Sequence, residues 1–180
     1  MEEVATEPLA ESEISLILDT YDDIFSDFDP RPFSQRALSQ DFLNEAKRAA
    51  LDKQGTLEMR FLIPRTQRKL DREVMVKQRL RSHFKRHYEL LQAEARGVQR
   101  AGLRLIGIGI IMMFITILLH SEVIALDGLL RSFIIIITEP AGWFLFWIGG
   151  EKLVYEKRRH QEDILFYHKM IHSSIVFNSY

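Results

Sequence analysis

Polar and apolar positions change their rhythm several times along this chain. Near its start, "EISLILDTY" alternates Ile14, Leu16 and Leu18 with other positions, the period of a half-buried strand. "TLEMRFLIP" alternates again, with Leu57, Met59, Phe61 and Ile63 set against Glu58 and Arg60. It is the clearest strand in the chain. Between the two, "DDIFSDFDPRPF" carries two prolines and clustered aspartates, which predict an ordered loop. A helix is expected from about Ser39, with Ser39 as its cap and Leu38 and Leu43 at hydrophobic-staple spacing. Phe42, Leu43, Ala46 and Ala50 form its apolar face, and Gly55 follows its end.

From Thr66 to Leu119 there is no proline. Leu80, Phe84, Tyr88, Leu91, Ala95 and Val98 recur at spacings of three and four, the stripe of one long helix. Gly97 and Gly102 are its expected weak points. The helix runs into "LIGIGIIMMFITILL", Leu105 to Leu119, which has no charge. With Leu103 and Arg104 the stretch reaches the lower end of the roughly 17 to 25 residues that cross a bilayer. Arg104 can extend its guanidinium to the headgroups. A second apolar run goes from Leu129 or Ser132 to Gly149. A buried soluble hairpin is the competing reading, but two such runs are hard to bury in so small a domain.

The linker "HSEVIALDG" between the runs has no Lys or Arg. Arg96, Arg100 and Arg104 precede the first run, and Lys152, Lys157, Arg158 and Arg159 follow the second. This asymmetry predicts two crossings with both termini in the cytoplasm. Trp143 and Trp147 then lie toward the cytoplasmic end, where aromatic rings favour the headgroup layer. Lys157, Arg158 and Arg159 are the candidate lipid-headgroup contacts beside Arg104.

The most apolar stretch, "FIIIITEPAGWFLFW", contains Glu139 and Pro140. A charged residue at mid-depth costs about 2.5 to 3.5 kcal/mol on insertion scales, which the Ile and Phe neighbours offset. Pro140 lacks an N–H and its ring opposes the Ile136 carbonyl, so the helix is expected to kink or break there. Thr138 and the small pair Ala141 and Gly142 permit close helix approach. Three readings stay open. Glu139, with Thr138 and Pro140, faces an oligomer axis or wet cavity and binds or conducts a proton or cation. Alternatively it hydrogen-bonds a neighbouring helix. In the third, the span ends near Thr138. Arg131 lies about 12 Å from Glu139 along a helix and is expected to reach toward Glu122 or Asp127 instead.

After the second run, Glu151 to about Ile171 reads as helix, with Leu153, His160, Ile164 and Ile171 on one side. "SSIVFNSY" reads as a last strand, joining its own sheet or a neighbouring subunit's. The expected fold is a two-helix transmembrane hairpin with a small cytoplasmic α+β domain built from the N- and C-terminal segments. Its parts are an acidic tail over 1–12, a cytoplasmic α+β part with the long basic helix over 13–100, the hairpin over 101–150, and a C-terminal helix and strand over 151–180.

The formal net charge of −1 hides a strong polarity. Residues 1–30 carry ten acids and no Lys or Arg, whereas residues 65–100 carry eleven Lys/Arg and four acids. No nucleic-acid reading motif accompanies the basic stretch, so it reads as a solvated helix face partly neutralised by the acidic end. Asp22, Asp23, Asp27 and Asp29 are a weak candidate hard-cation cluster, since their spacing matches no EF-hand loop. Turn and cap roles are the stronger expectation for them. His83 and His87 stand at i, i+4, but Lys85 and Arg86 between them disfavour a metal. The absence of cysteine removes disulfides, thiolate sites and a Cys nucleophile. No glycine phosphate loop or nucleophile elbow is present, so neither an enzyme nor a cofactor is expected. The leading expectation is a homo-oligomeric protein of a bacterial or archaeal cell membrane, an ion channel or proton pathway lined by Glu139. The alternative is a membrane-anchored scaffold that recruits a cytoplasmic protein.

Overall fold

A computed structural model describes residues 13–51, 53, 55, 57–124 and 126–180; within 157–159 it describes the backbone alone. The expected tail over 1–12 lies outside the described residues. The chain divides into two compact units, Met1–Glu89 with Asp163–Tyr180, and Leu90–Glu162. It passes from one to the other within one helix and returns within another.

The first unit is built on three parallel strands: β1 (Glu13–Ile17), β2 (Glu58–Ile63) and β3 (Ser174–Ser179), in the order β1-β2-β3. Ile14, Met59 and Ile175 share one register line, and Leu16, Phe61 and Phe177 the next. The last strand therefore joins its own chain's sheet. Parallel strands require crossovers. The first holds a short 3₁₀ turn (Tyr21–Ile24) and α1 (Gln40–Leu51). The second is the rest of the protein: α2 (Leu70–His120), α3 (Gly128–Glu151), a π-turn (Lys152–Glu156) and α4 (Lys157–His172).

The alternation in β2 sends Met59, Phe61 and Ile63 fully inward. They meet Phe42, Ala46 and Ala50 of α1, Val76, Leu80 and Phe84 of α2, and Phe166 and Met170 of α4 in one core. Phe61 stacks on Phe177 with ring centroids 5.0 Å apart. Tyr21 closes the edge of this core, its hydroxyl accepting from the Lys69 N–H at 3.0 Å. Opposite the core, Arg60 pairs with Glu13 at 2.8 Å and Glu58 at 3.0 Å.

Several boundaries differ from the sequence reading. The helix expected near Ser39 forms, but the Ser39 hydroxyl lies 3.5 Å from the Phe42 N–H, the limit for a cap. The long helix begins at Leu70, after the chain leaves Pro64 in a turn. The helix expected from Glu151 is interrupted by the π-turn. Phe166 and Met170 are the fully buried residues of α4, and Ile171 packs against the same core. Pro140 does not break α3, which is continuous on both sides of it.

Phe61 stands at the centre of the sheet face that packs on the helices and is itself fully buried. Phe61→Ala is expected to cost about 3 to 5 kcal/mol, seen as a large drop in the thermal midpoint of the purified full chain.

Candidate functional site

In the second unit, α2 and α3 pack along a seam of small residues. A Cβ added at Gly109 would stand 2.7 Å from the Gly142 carbonyl oxygen, and one at Gly149 would stand 2.7 Å from that of Gly102. The backbones are in direct contact. Gly102 and Gly109 are seven residues apart on α2, as are Gly142 and Gly149 on α3. That repeat keeps one face of each helix turned to the other. The next position on α2 is Thr116, whose hydroxyl meets that of Thr138 at 2.8 Å. Whichever hydroxyl accepts in that bond can donate its own hydrogen to its helix, Thr116 to the Met112 carbonyl at 3.0 Å or Thr138 to the Ile134 carbonyl at 2.9 Å. Such interhelical bonds contribute on average about 0.6 kcal/mol in apolar surroundings. Gly102 is thus a packing position rather than a weak point of the helix.

The seam places the remaining candidates. Thr138 lies in it, Gly142 is buried in it, and Ala141 beside it is half-buried. Glu139 and Pro140 lie off the seam and are exposed. Ile136, Trp143, Phe144 and Trp147 share that exposed apolar surface; Trp147 is 73 % exposed. Glu139 therefore does not join α2 to α3; Thr138 does. A groove of about 360 Å³ beside it is lined by Met113, Thr116, Ile117, His120, Glu139 and Trp143. His120, one turn beyond Thr116, lines the same groove and hydrogen-bonds the Thr116 carbonyl through Nδ1 at 3.2 Å; sequence reading did not single it out. Arg131 bonds Glu122 at 3.0 Å, as its spacing suggested.

Both helices are long and apolar enough to cross a membrane. Only 22 % and 11 % of their most apolar stretches are buried. Arg104 is exposed on α2. The side chains of Lys157, Arg158 and Arg159 lie outside the described ones.

The acidic cluster is dispersed into local bonds. Asp23 accepts from the Asp19 and Thr20 N–H groups at 2.7 and 2.9 Å, closing a capping box with Thr20. Asp22 pairs with Arg36 at 2.5 Å. Asp29 accepts from Arg31 at 2.7 Å and from the Ala37 N–H at 2.6 Å. The Arg31 hydrogen bond, then that of Ala37, holds its carboxyl well below the usual carboxylate range. Asp27 is exposed. No group of three or more His, Asp or Glu that could hold a metal occurs among the described residues.

His83 and His87 have their ring centroids 4.2 Å apart, and Tyr167 of α4 stacks on His87 at 5.4 Å. Burial, then the neighbouring His87 and Arg79, pushes His83 down to about 4. Burial, then Arg86 and Arg79, lowers His87. Compared with protein-family models, with curated proteins and with solved structures, the chain matches none.

Gly109→Ala is expected to lower the thermal midpoint markedly, because its Cβ meets backbone that cannot yield. Gly107→Ala, whose Cβ would touch nothing, is expected to be neutral or to gain up to about 1 kcal/mol. His83 is neutral when folded, whereas the unfolded side chain titrates near 6.5. The unfolded state therefore binds the proton first, and stability falls as pH drops from about 6.5 toward about 4. A smaller fall in His83→Gln, measured by thermal melts across that range, is the expected result.

Proposed function

We propose that this chain is a small integral membrane protein whose hairpin crosses the bilayer, with both termini in the cytoplasm. Copies associate through the outer face of α3 and bring Glu139 into a shared polar interface that binds a proton or cation. One observation carries the reading: Glu139 is exposed on an apolar helix face, off the seam that joins α3 to α2. In hydrocarbon that placement costs about 2.5 to 3.5 kcal/mol. Burial against polar groups of another copy removes the cost, and symmetric association is the common way to supply them. His120, on the same groove, gives a proton a titratable stop between Glu139 and the short loop. The flanking Arg and Lys residues support the orientation.

A second reading has its own support. Sheets made only of parallel strands are normally covered on both faces. Here Ile17, at the end of β1 on the face opposite the core, is 70 % exposed. A protein partner seated there would make this chain a membrane-anchored scaffold.

Native mass spectrometry in lipid nanodiscs separates the two. A closed assembly of four or more chains is expected, with proton or cation flux in vesicles that falls at least tenfold in Glu139→Gln while the assembly stays intact. A monomer or dimer, or unchanged flux in the variant, removes the pathway and leaves the scaffold.

A further inference from the structure

The first unit contains a cavity of about 440 Å³ that the hairpin reading does not use. It opens between α1, α2 and α4, and all its lining residues belong to that unit. Its size suits a small-molecule ligand, which typically occupies roughly 300 to 1,000 Å³. Leu38, Leu43 and Phe166 supply apolar wall. Lys47, Arg79, His83, His87 and Asp163 supply the polar groups.

The charges in this lining are unevenly matched. Asp163 is its only acid and is already paired with Lys47. Arg79 donates its Nε to the Arg36 carbonyl at 2.9 Å. Its two terminal nitrogens have no hydrogen-bond or ion-pair partner among the described residues. Burial disfavours the charge of Arg79, and so do the nearby Arg31 and Arg86, with Asp29 acting the other way. His83 Nε2 is buried and likewise without a hydrogen-bond partner among the described residues. Arg79, whose guanidinium end is unpaired among the described residues, and His83, which carries an orphaned imidazole nitrogen, therefore line one cavity. A buried polar atom left unpaired costs about 1 to 3 kcal/mol, and a guanidinium fork matches the geometry of an oxyanion. A metal ion fits worse, because Arg79 and Lys47 would repel it.

We infer that this cavity binds a small molecule through an oxyanion group, a phosphate monoester or carboxylate, gripped by Arg79 and hydrogen-bonded by His83. The apolar wall takes the uncharged remainder of the ligand. A phosphate monoester can come from a soluble molecule or from a lipid headgroup, and the chemistry at Arg79 is the same.

The test uses the full chain in phosphatidylcholine nanodiscs, read by NMR of the histidine side chains. Glycerol 3-phosphate is titrated in one arm; in the other the discs carry phosphatidic acid and no soluble anion is added. Saturable shifts of the His83 and His87 signals are expected, with Kd at or below about 1 mM for glycerol 3-phosphate. Arg79→Gln is expected to weaken binding at least tenfold and His83→Gln several-fold. Shifts only with phosphatidic acid uphold the site and assign the anion to a lipid. Unmoved histidine signals in both arms overturn the inference, and so does undiminished binding in Arg79→Gln. Because Arg79→Gln also loses the bond to the Arg36 carbonyl, Arg79→Lys serves if it misfolds. It keeps the charge without the fork, and an unchanged Kd in it would again overturn the inference.

Discussion

Backbone contact at two glycine pairs, Gly109 with Gly142 and Gly102 with Gly149, sets the character of the second unit. Helices that touch through glycine have no room for large side chains between them. The Ile, Phe and Trp residues of α3 must then point away from α2, and they do: Ile136, Phe144 and Trp147 are all largely exposed. The hairpin turns its apolar bulk outward because its seam is small. A soluble helix pair buries that bulk, and the hydrophobic effect holds it together. In a bilayer, lipid is as apolar as leucine, and close packing with a few hydroxyl bonds takes over that role. The seam suits the second solvent. Glu139 inherits its exposure from the same geometry, one residue past the Thr138 hydroxyl that faces inward.

The sheet constrains the hairpin in turn. β2 is flanked by β1 on one side and β3 on the other, both parallel to it. Everything between β2 and β3 is one crossover connection, and the apolar helices are inserted within it. A single crossing would leave β3 on the far side of the bilayer from β2. The register of Phe61 with Phe177 therefore requires that the apolar helices cross an even number of times or not at all. This argument is independent of loop charge. By the positive-inside tendency, the flanking charges would bear only on which side the sheet occupies.

The elements with strict periodicity were legible in the residues alone. Leu57 to Ile63 alternates with the single exception of Leu62, and Leu80 and Phe84 mark the buried face of α2. The failures share a cause: local rules were applied where tertiary contact decides. Gly102 is a poor helix former in water, but against Gly149 the missing Cβ is the reason for its presence. Pro140 removes one hydrogen bond from α3, a loss that leaves the helix continuous. The seven-residue spacings of Gly102, Gly109 and Thr116, and of Gly142 and Gly149, were available signals for the seam. No local pattern could join Lys47 to Asp163 or His87 to Tyr167, because each pair is brought together only when the second crossover closes.

The two polar sites illustrate opposite ways of leaving a charge unbalanced. Glu139 is an acid on an apolar surface with no ion-pair partner among the described residues. Arg79 is a cation among cations, with His83 and His87 kept neutral by burial and by that same field. Protonating an imidazole there would add a further positive charge beside Arg79. The i, i+4 spacing of the histidines, suggestive of a metal when read alone, changes meaning once Arg79 is placed one turn before them. The same two rings that could ligate a cation elsewhere stand here as neutral hydrogen-bonding groups beside an unneutralised guanidinium.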